Sequence, residues 1–266
     1  MRIGVVGCSG RVGKLLLSAI LNHAEVKLSG GFVHAKSGAL GTDLGTLAGQ
    51  EKCGLTAADD LEYLAKKSDV LIDFSTPAIA LSAANIATEN KIALVSGTTG
   101  FSADEKQELA KYAEKTPLLW SANMSLGVNI LSMLVEQTAK ILDESFDIEI
   151  LEMHHHHKVD APSGTALLLG ESAAKARGVE LKTHACMERS GQIGARPKGE
   201  IGFATLRGGD VVGDHTVFFA GRGERLELRH VASERSLFAH GALKAALWLI
   251  GKPAGRLYTM RDVLSS

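Results

Sequence analysis

Cysteine, proline and aromatic side chains are scarce in this chain, and neither sign of charge dominates it. Three cysteines, Cys8, Cys53 and Cys186, stand far apart in 266 residues, which excludes a disulfide framework and a clustered-thiol zinc site. No apolar run approaches the roughly 20 residues that cross a bilayer. A formal net charge of -1 argues against partners recruited by bulk charge, so neither nucleic acid nor a membrane surface is expected. Met1 and Arg2 lead straight into the strand-like Ile3-Gly4-Val5-Val6, so no secretory leader is expected and a cytoplasmic location is the simplest reading. There are no internal repeats, and the only low-complexity tract is His154-His155-His156-His157.

What is present is an ordinary globular composition, 45% hydrophobic and 22% charged, with 29 glycines. The length suits one large domain or two medium ones. Strand-like runs at 2–6, 26–33, 70–74, 93–96 and 118–120 alternate with helical patterns at 11–23, 61–66, 78–89 and 103–115. That alternation predicts an α/β fold with a Rossmann-type parallel sheet covered on both faces. After Asn123 a helix fits 128–142, and strand character then dominates at 147–153, 200–207, 214–220 and 225–231. Gly-rich turns between those strands predict a second, α+β domain with a mixed or open sheet. The helical pattern at 236–250 is expected to return to the first domain. The expected boundaries are 1–125, completed by 235–266, for dinucleotide binding, and 126–234 for substrate binding and oligomerisation.

The first strand runs into Gly7-Cys8-Ser9-Gly10-Arg11-Val12-Gly13, which opens a helix. Glycines there permit a tight turn and let the backbone approach a pyrophosphate, whose charge the helix N-terminus stabilises. A βα turn that needs glycine only for sterics is the competing reading; the position at the first βα turn favours a dinucleotide. The second strand ends in Val33-His34-Ala35-Lys36 without the acid that usually binds a ribose 2′-hydroxyl. His34 and Lys36 suit a 2′-phosphate, so NADPH is expected to be preferred, with NADH possible. The segments Asp73-Phe74-Ser75-Thr76-Pro77 and Gly97-Thr98-Thr99-Gly100 follow two further strands, where ligands of such sheets bind.

The run of histidines lies in mid-chain, unlike an affinity tag. Adjacent residues of a strand face opposite ways, so four in a row cannot converge on one metal ion, and none is expected. His156 and His157 read as surface or packing residues. Reduction of a conjugated C=N or C=C bond needs a hydride at one atom and a proton at another, and histidine suits the proton near neutral pH. Lys158 offers a cation to a carboxylate, and Pro162-Ser163-Gly164-Thr165 reads as a helix entrance able to receive an anion. A small carboxylate substrate follows from that pattern. A different Rossmann reductase and a non-catalytic nicotinamide-binding sensor are the rival readings.

Glu152-Met153-His154-His155-His156-His157-Lys158-Val159-Asp160-Ala161-Pro162-Ser163-Gly164-Thr165-Ala166 resembles the signature of the 4-hydroxy-tetrahydrodipicolinate reductase (dihydrodipicolinate reductase) family. The glycine turn, the 73–77 and 97–100 segments, Ala122-Asn123-Met124-Ser125 and Arg207-Gly208-Gly209-Asp210-Val211-Val212-Gly213-Asp214-His215 resemble family segments in family order. The resemblance implies NAD(P)H-dependent formation of tetrahydrodipicolinate on the diaminopimelate route to lysine, by a homotetramer acting on a small dicarboxylate. It implies His154 as proton donor and Lys158 as its charge-stabilising partner. His155, Gly164 and Thr165 are implied as substrate contacts. Gly7, Gly10, Arg11 and Val12 fall at the pyrophosphate loop, and Gly97, Thr98, Thr99, Ala122 and Met124 near the nicotinamide. Many members carry an acid–Arg pair where this chain has Val33-His34, which narrows the expected use of NADH.

Overall fold

The structure is a computed structural model and describes residues 1–265. It divides into two compact units, residues 1–126 with 235 onwards, and residues 127–234.

In the first unit, β1 (Arg2–Val6), α1 (Arg11–Leu21), β2 (Lys27–Phe32), α2 (Leu44–Leu47), β3 (Ala57–Ala58) and α3 (Leu61–Lys66) follow one another. Then come β4 (Val70–Asp73), α4 (Pro77–Asn90), β5 (Ala93–Ser96), α5 (Ala103–Ala113) and β6 (Leu118–Trp120). The second unit carries most of α6 (Leu126–Ile141), then β7 (Asp147–His154), α7 (Gly164–Arg177), α8 (Leu181–His184) and β8 (Ala185–Cys186). It ends with β9 (Ile201–Arg207), β10 (Gly213–Gly221) and β11 (Glu224–Ala232). The chain returns to the first unit with α9 (Ser236–Leu249), β12 (Leu257–Tyr258) and α10 (Met260–Leu264).

The first sheet has the order β12-β6-β5-β4-β1-β2-β3, and every pairing in it is parallel. Its central strands β1, β4 and β5 are buried on both faces, as their continuous apolar runs demand. Along β4, Val70 and Ile72 join a core with Leu16, Leu17, Ala242 and Ala246 of α1 and α9, while Leu71 faces the opposite core with Ala80, Ala84 and Leu109. The parallel sheet and its helical cover thus have the expected class. Successive connections run one way from β1 to β2 and β3 and the other way through β4, β5 and β6, which opens a crevice at the carboxyl ends of β1 and β4.

The second sheet, β11-β10-β7-β9-β8, is mixed: β10 pairs antiparallel with β7 and β11, whereas β9 pairs parallel with β7 and β8. Register explains what this sheet holds. Val217 stands between Ile150 and Leu228, and Ile150 is paired with Phe203; one step along, Phe219 stands beside Ile148, which pairs with Ile201. These side chains pack under α7 against Leu169 and Ala173. Moving the other way along the same face, the rows become polar: His215 lies between Glu152 and His230, Glu152 pairs with Thr205, and His154 pairs with Arg207. One face therefore changes from hydrocarbon to ionisable groups at the end where β7 stops.

Candidate active site

Two groups of candidate residues stand out, one in each unit.

In the first unit, β1 ends at a turn in which the Gly7 and Cys8 amides donate to the Phe32 carbonyl at 3.0 and 3.2 Å, and the Gly10 amide donates to the Gly7 carbonyl at 3.0 Å. Gly7 has φ +78°, and a Cβ there would meet the Phe74 carbonyl oxygen at 2.5 Å. Gly13 packs so closely on Gly7 and Cys8 that no side chain fits. Gly10 caps α1 without a side chain, so the first-turn amides keep their polarity for a ligand. Arg11, Val12, Phe74, Ser75, Gly97, Thr98, Thr99, Ala122, Asn123, Met124 and Phe238 line one cleft of about 400 Å³ at the carboxyl ends of the strands. Arg11, Val12, Gly97, Thr98, Thr99, Ala122 and Met124 are thus brought together in one cleft, while Gly7 and Gly10 shape the turn that leads into Arg11. His34 is exposed at the tip of β2, where its Nδ1 accepts the Lys36 amide at 3.2 Å.

Beneath the cleft lies Asp73, a wholly buried carboxylate at the end of β4. It accepts hydrogen bonds from the hydroxyls of Ser75, Ser96 (2.7 Å) and Thr98 (2.8 Å). Thr98 also receives the Ser75 amide at 2.9 Å, and its carbonyl receives Trp120 Nε1 at 2.9 Å. Burial pushes the Asp73 carboxyl up, against the opposing pull of those hydroxyls. The Thr98 side chain ties the 74–76 and 97–99 loops together, and its backbone is held as well, the amide donating to the Ser96 hydroxyl at 3.3 Å.

In the second unit β7 ends at His154, and the next three histidines lie in a turn rather than on a strand. His156 and His157 are exposed, with ring centres 3.8 Å apart and the planes tilted by 54°, and no metal-binding cluster exists among the described residues. The Lys158 side chain is 19% exposed, and its Nζ donates to Asp160 Oδ1 at 2.8 Å. Ser163 caps α7, accepting the Ala166 amide at 3.1 Å, so Gly164 and Thr165 occupy the helix's first turn. Nothing lies within 4 Å of where a Cβ on Gly164 would stand. The resulting arrangement sets His154, Lys158 and the α7 N-terminus along one short stretch of chain.

Glu152, which the sequence reading passed over, anchors this group. It is 1% exposed. Its Oε2 meets His154 Nδ1 at 2.6 Å and accepts Arg207 Nη1 at 2.8 Å. Its Oε1 accepts Arg207 Nη2 at 2.8 Å, the Ser163 amide at 3.0 Å and the Thr205 hydroxyl at 3.3 Å. Burial alone pushes this carboxyl up, but the bonds from His154 and Arg207 outweigh it and hold it at about 2. His215 completes the cluster: Nε2 lies 3.0 Å from the Ser163 hydroxyl, and the ring stands edge-on to His154 at 5.1 Å. Burial, then the neighbouring His154, pushes its pKa down to about 4. Strand alternation puts residues 152 and 154 on one face, so Glu152 was within reach of the sequence; Arg207 and His215 arrive only through pairing.

Models of the dihydrodipicolinate reductase N-terminus and C-terminus match residues 1–124 and 127–264. A 4-hydroxy-tetrahydrodipicolinate reductase of Parvibaculum lavamentivorans is 52% identical over 265 residues, covering 99% of this chain and 97% of that protein. One from Chromohalobacter salexigens is 49% identical over 264 residues, covering 99% and 98%. Among solved structures, a dipicolinate-bound dihydrodipicolinate reductase from Paenisporosarcina sp. TG-14 superposes with a TM-score of 0.77 at 24% identity, covering 97% of each chain. An amine dehydrogenase from Mycobacterium smegmatis shares the fold at a TM-score of 0.61 and 11% identity, covering 97% of this chain and 94% of that one. Matched in order by both family models and along nearly its whole length by these relatives, the chain belongs to the dihydrodipicolinate reductase family.

Proposed function

We propose that this protein reduces 4-hydroxy-tetrahydrodipicolinate (dihydrodipicolinate) to tetrahydrodipicolinate with a nicotinamide cofactor, on the diaminopimelate route to lysine. The observation that carries the reading is the 152–166 segment, which sets a carboxylate-held histidine, a lysine and an open helix N-terminus within fifteen positions. Family membership supplies the substrate, a small dicarboxylate.

The turn around Gly7, Gly10 and Gly13 fits a pyrophosphate, because the absent Cβ atoms of Gly7 and Gly13 let it fold tightly against Phe74 and Cys8 and the N-terminus of α1 carries no side-chain cap. Gly7, Gly10, Arg11 and Val12 hold that group in this reading. Gly97, Thr98, Thr99, Ala122 and Met124 form the nicotinamide end of the cleft. When bound, the reduced nicotinamide supplies the hydride. His34, exposed with Arg11 and Lys14 and without an acid at the strand tip, favours a 2′-phosphate and so NADPH over NADH.

His154 gives the proton that the hydride's acceptor needs. Lys158 exchanges its Asp160 partner for a substrate carboxylate and stabilises charge that develops in the transition state. Gly164 and Thr165 present the first-turn amides of α7 to the carboxylate, and His155 contacts the substrate. The first unit serves as the dinucleotide-binding domain and the second as the substrate and assembly domain. A homotetramer is supported by the sheet face opposite α7, where Leu206 and Val231 are 47% and 51% exposed. We place the enzyme in the cytoplasm; no helix among the described residues is long and apolar enough to cross a membrane.

The test is an assay that follows oxidation of NADPH and of NADH with freshly generated substrate. His154→Gln and Lys158→Ala are each expected to lower turnover by at least about 100-fold while cofactor affinity is kept. Wild-type kinetics in both variants would refute the site. Comparable kcat/KM for the two cofactors would refute the preference for NADPH.

A further inference from the structure

His154 is constrained at both ring nitrogens, and the two constraints differ in kind. At Nδ1 it meets Glu152 Oε2 at 2.6 Å. That carboxylate has donors on both oxygens from Arg207, together with the Ser163 amide and the Thr205 hydroxyl. An ionised carboxylate only accepts hydrogen bonds, so the hydrogen of this pair resides on Nδ1. At Nε2 the neighbour is Gly213, the first residue of β10, and a Cβ built there would stand 2.9 Å from Nε2 and 3.5 Å from His215 Cε1. The φ of Gly213 is not in the left-handed region, so glycine is not required by the backbone here. Its use is the space it leaves. The Arg207 that clamps Glu152 also donates to the Asp160 carbonyl at 2.7 Å, which ties the Lys158 loop to the same carboxylate.

We propose that Glu152 is the positioning residue for the proton donor, fixing Nδ1 of His154 so that the proton enters and leaves only through Nε2, and that Gly213 keeps the ground beside Nε2 open. This rests on the reading of His154 given above. In the step, the Nε2–H bond of the imidazolium breaks and its electron pair stays on the ring. The proton passes to the substrate atom next to the one that accepts the hydride. The ring ends neutral, with its Nδ1–H still on Glu152, and a solvent proton restores it.

The experiment compares Glu152→Gln, Glu152→Asp and Gly213→Ala in the intact enzyme by steady-state kinetics, thermal melts and ring 15N signals of labelled histidine. Glu152→Gln is expected to lower kcat about 100-fold, with KM for NADPH and substrate within threefold, and to abolish the wild-type Nδ1–H signal of His154. Glu152→Asp keeps the charge on Arg207 and withdraws the carboxylate by one methylene. It is expected to fold like wild type and to lose about tenfold in kcat, so a folding failure of the glutamine variant leaves the test intact. Gly213→Ala is expected to lower kcat while leaving the Nδ1–H signal in place. The positioning role is overturned if Glu152→Asp keeps wild-type kcat, or if its loss equals the fraction unfolded at the assay temperature. The spacing role is overturned if Gly213→Ala keeps wild-type kcat. If His154→Gln is inactive while the Glu152 variants are normal, only this inference falls; if His154→Gln is active, the functional reading falls first.

Discussion

Acidification from pH 6.5 to 4 protonates His215 in the unfolded chain but not in the fold. The side chain is 3% exposed, and burial, followed by His154, lowers its pKa from 6.5 to about 4. His230 pushes the same way, while Glu152 and Asp214 pull it back up. A folded-state pKa below the unfolded one means that the unfolded chain binds the extra proton across this window, so stability falls as the pH falls. Each pH unit inside the window is worth ~1.4 kcal/mol, which sets a ceiling of about 3 kcal/mol on the loss. Glu152 acts later: its carboxylate, held at about 2, contributes stability above about 4.5 that is lost only as the pH drops towards 2. His215→Gln removes the titrating group and keeps a polar partner for the Ser163 hydroxyl. Both tryptophans, Trp120 and Trp248, lie in the first unit, so fluorescence does not report on this region. Amide hydrogen exchange of β7 and β10, measured at a series of pH values with intrinsic rates corrected, does report on it. Protection in the wild type is expected to fall faster than in His215→Gln between pH 6.5 and 4. Parallel curves for the two proteins over that range would refute the reasoning.

Three further outcomes follow from other parts of the fold. Gly7→Ala puts a Cβ 2.5 Å from the Phe74 carbonyl oxygen at φ +78°, and the left-handed backbone alone costs roughly 1–2 kcal/mol. Its dissociation constant for NADPH, read by titration calorimetry, is expected to rise at least about tenfold. Asp73→Ala strands the hydroxyls of Ser75, Ser96 and Thr98, at about 1–3 kcal/mol for each that stays buried and unpaired. Because Trp120 bonds to the Thr98 carbonyl, its emission is expected to shift together with a rise in cofactor KM. Cys8 is fully buried, and burial raises its thiol to about 11; a disulfide reagent at pH 8 is expected to titrate Cys53 and Cys186 first, as peptide mapping will read.

The parallel sheet was legible because β4 and β5 are apolar at nearly every position, a pattern that only a strand covered on both faces produces. The stretch from Asp43 to Ala58 was not. Its helix α2 has four residues and no apolar period; Asp43 organises it by accepting the amides of Gly45, Thr46, Cys53 and Gly54, two of them from distant positions. The pairs β8 and β12 are two-residue strands that only a neighbouring strand defines. At the site, motif spacing delivered His154 and Lys158, which lie within one continuous segment. Arg207 and His215 stand more than 50 positions from Glu152 and meet it through sheet register, which no local pattern encodes. Asp73 was visible at the head of its loop, but its complete burial beneath Ser75, Ser96 and Thr98 was not.

The second sheet carries hydrocarbon and chemistry on one surface, with Ile150 only one pleat pair, about 7 Å, from Glu152. A conservative change at Ile150 or Val217 moves the strands on which Glu152 and His215 ride, and the backbone transmits that displacement without a hinge to absorb it. Substitutions in this core will therefore be read in turnover before they are read in melting temperature. A library screened for heat tolerance at these positions selects, unintentionally, for the angle at which His154 is held.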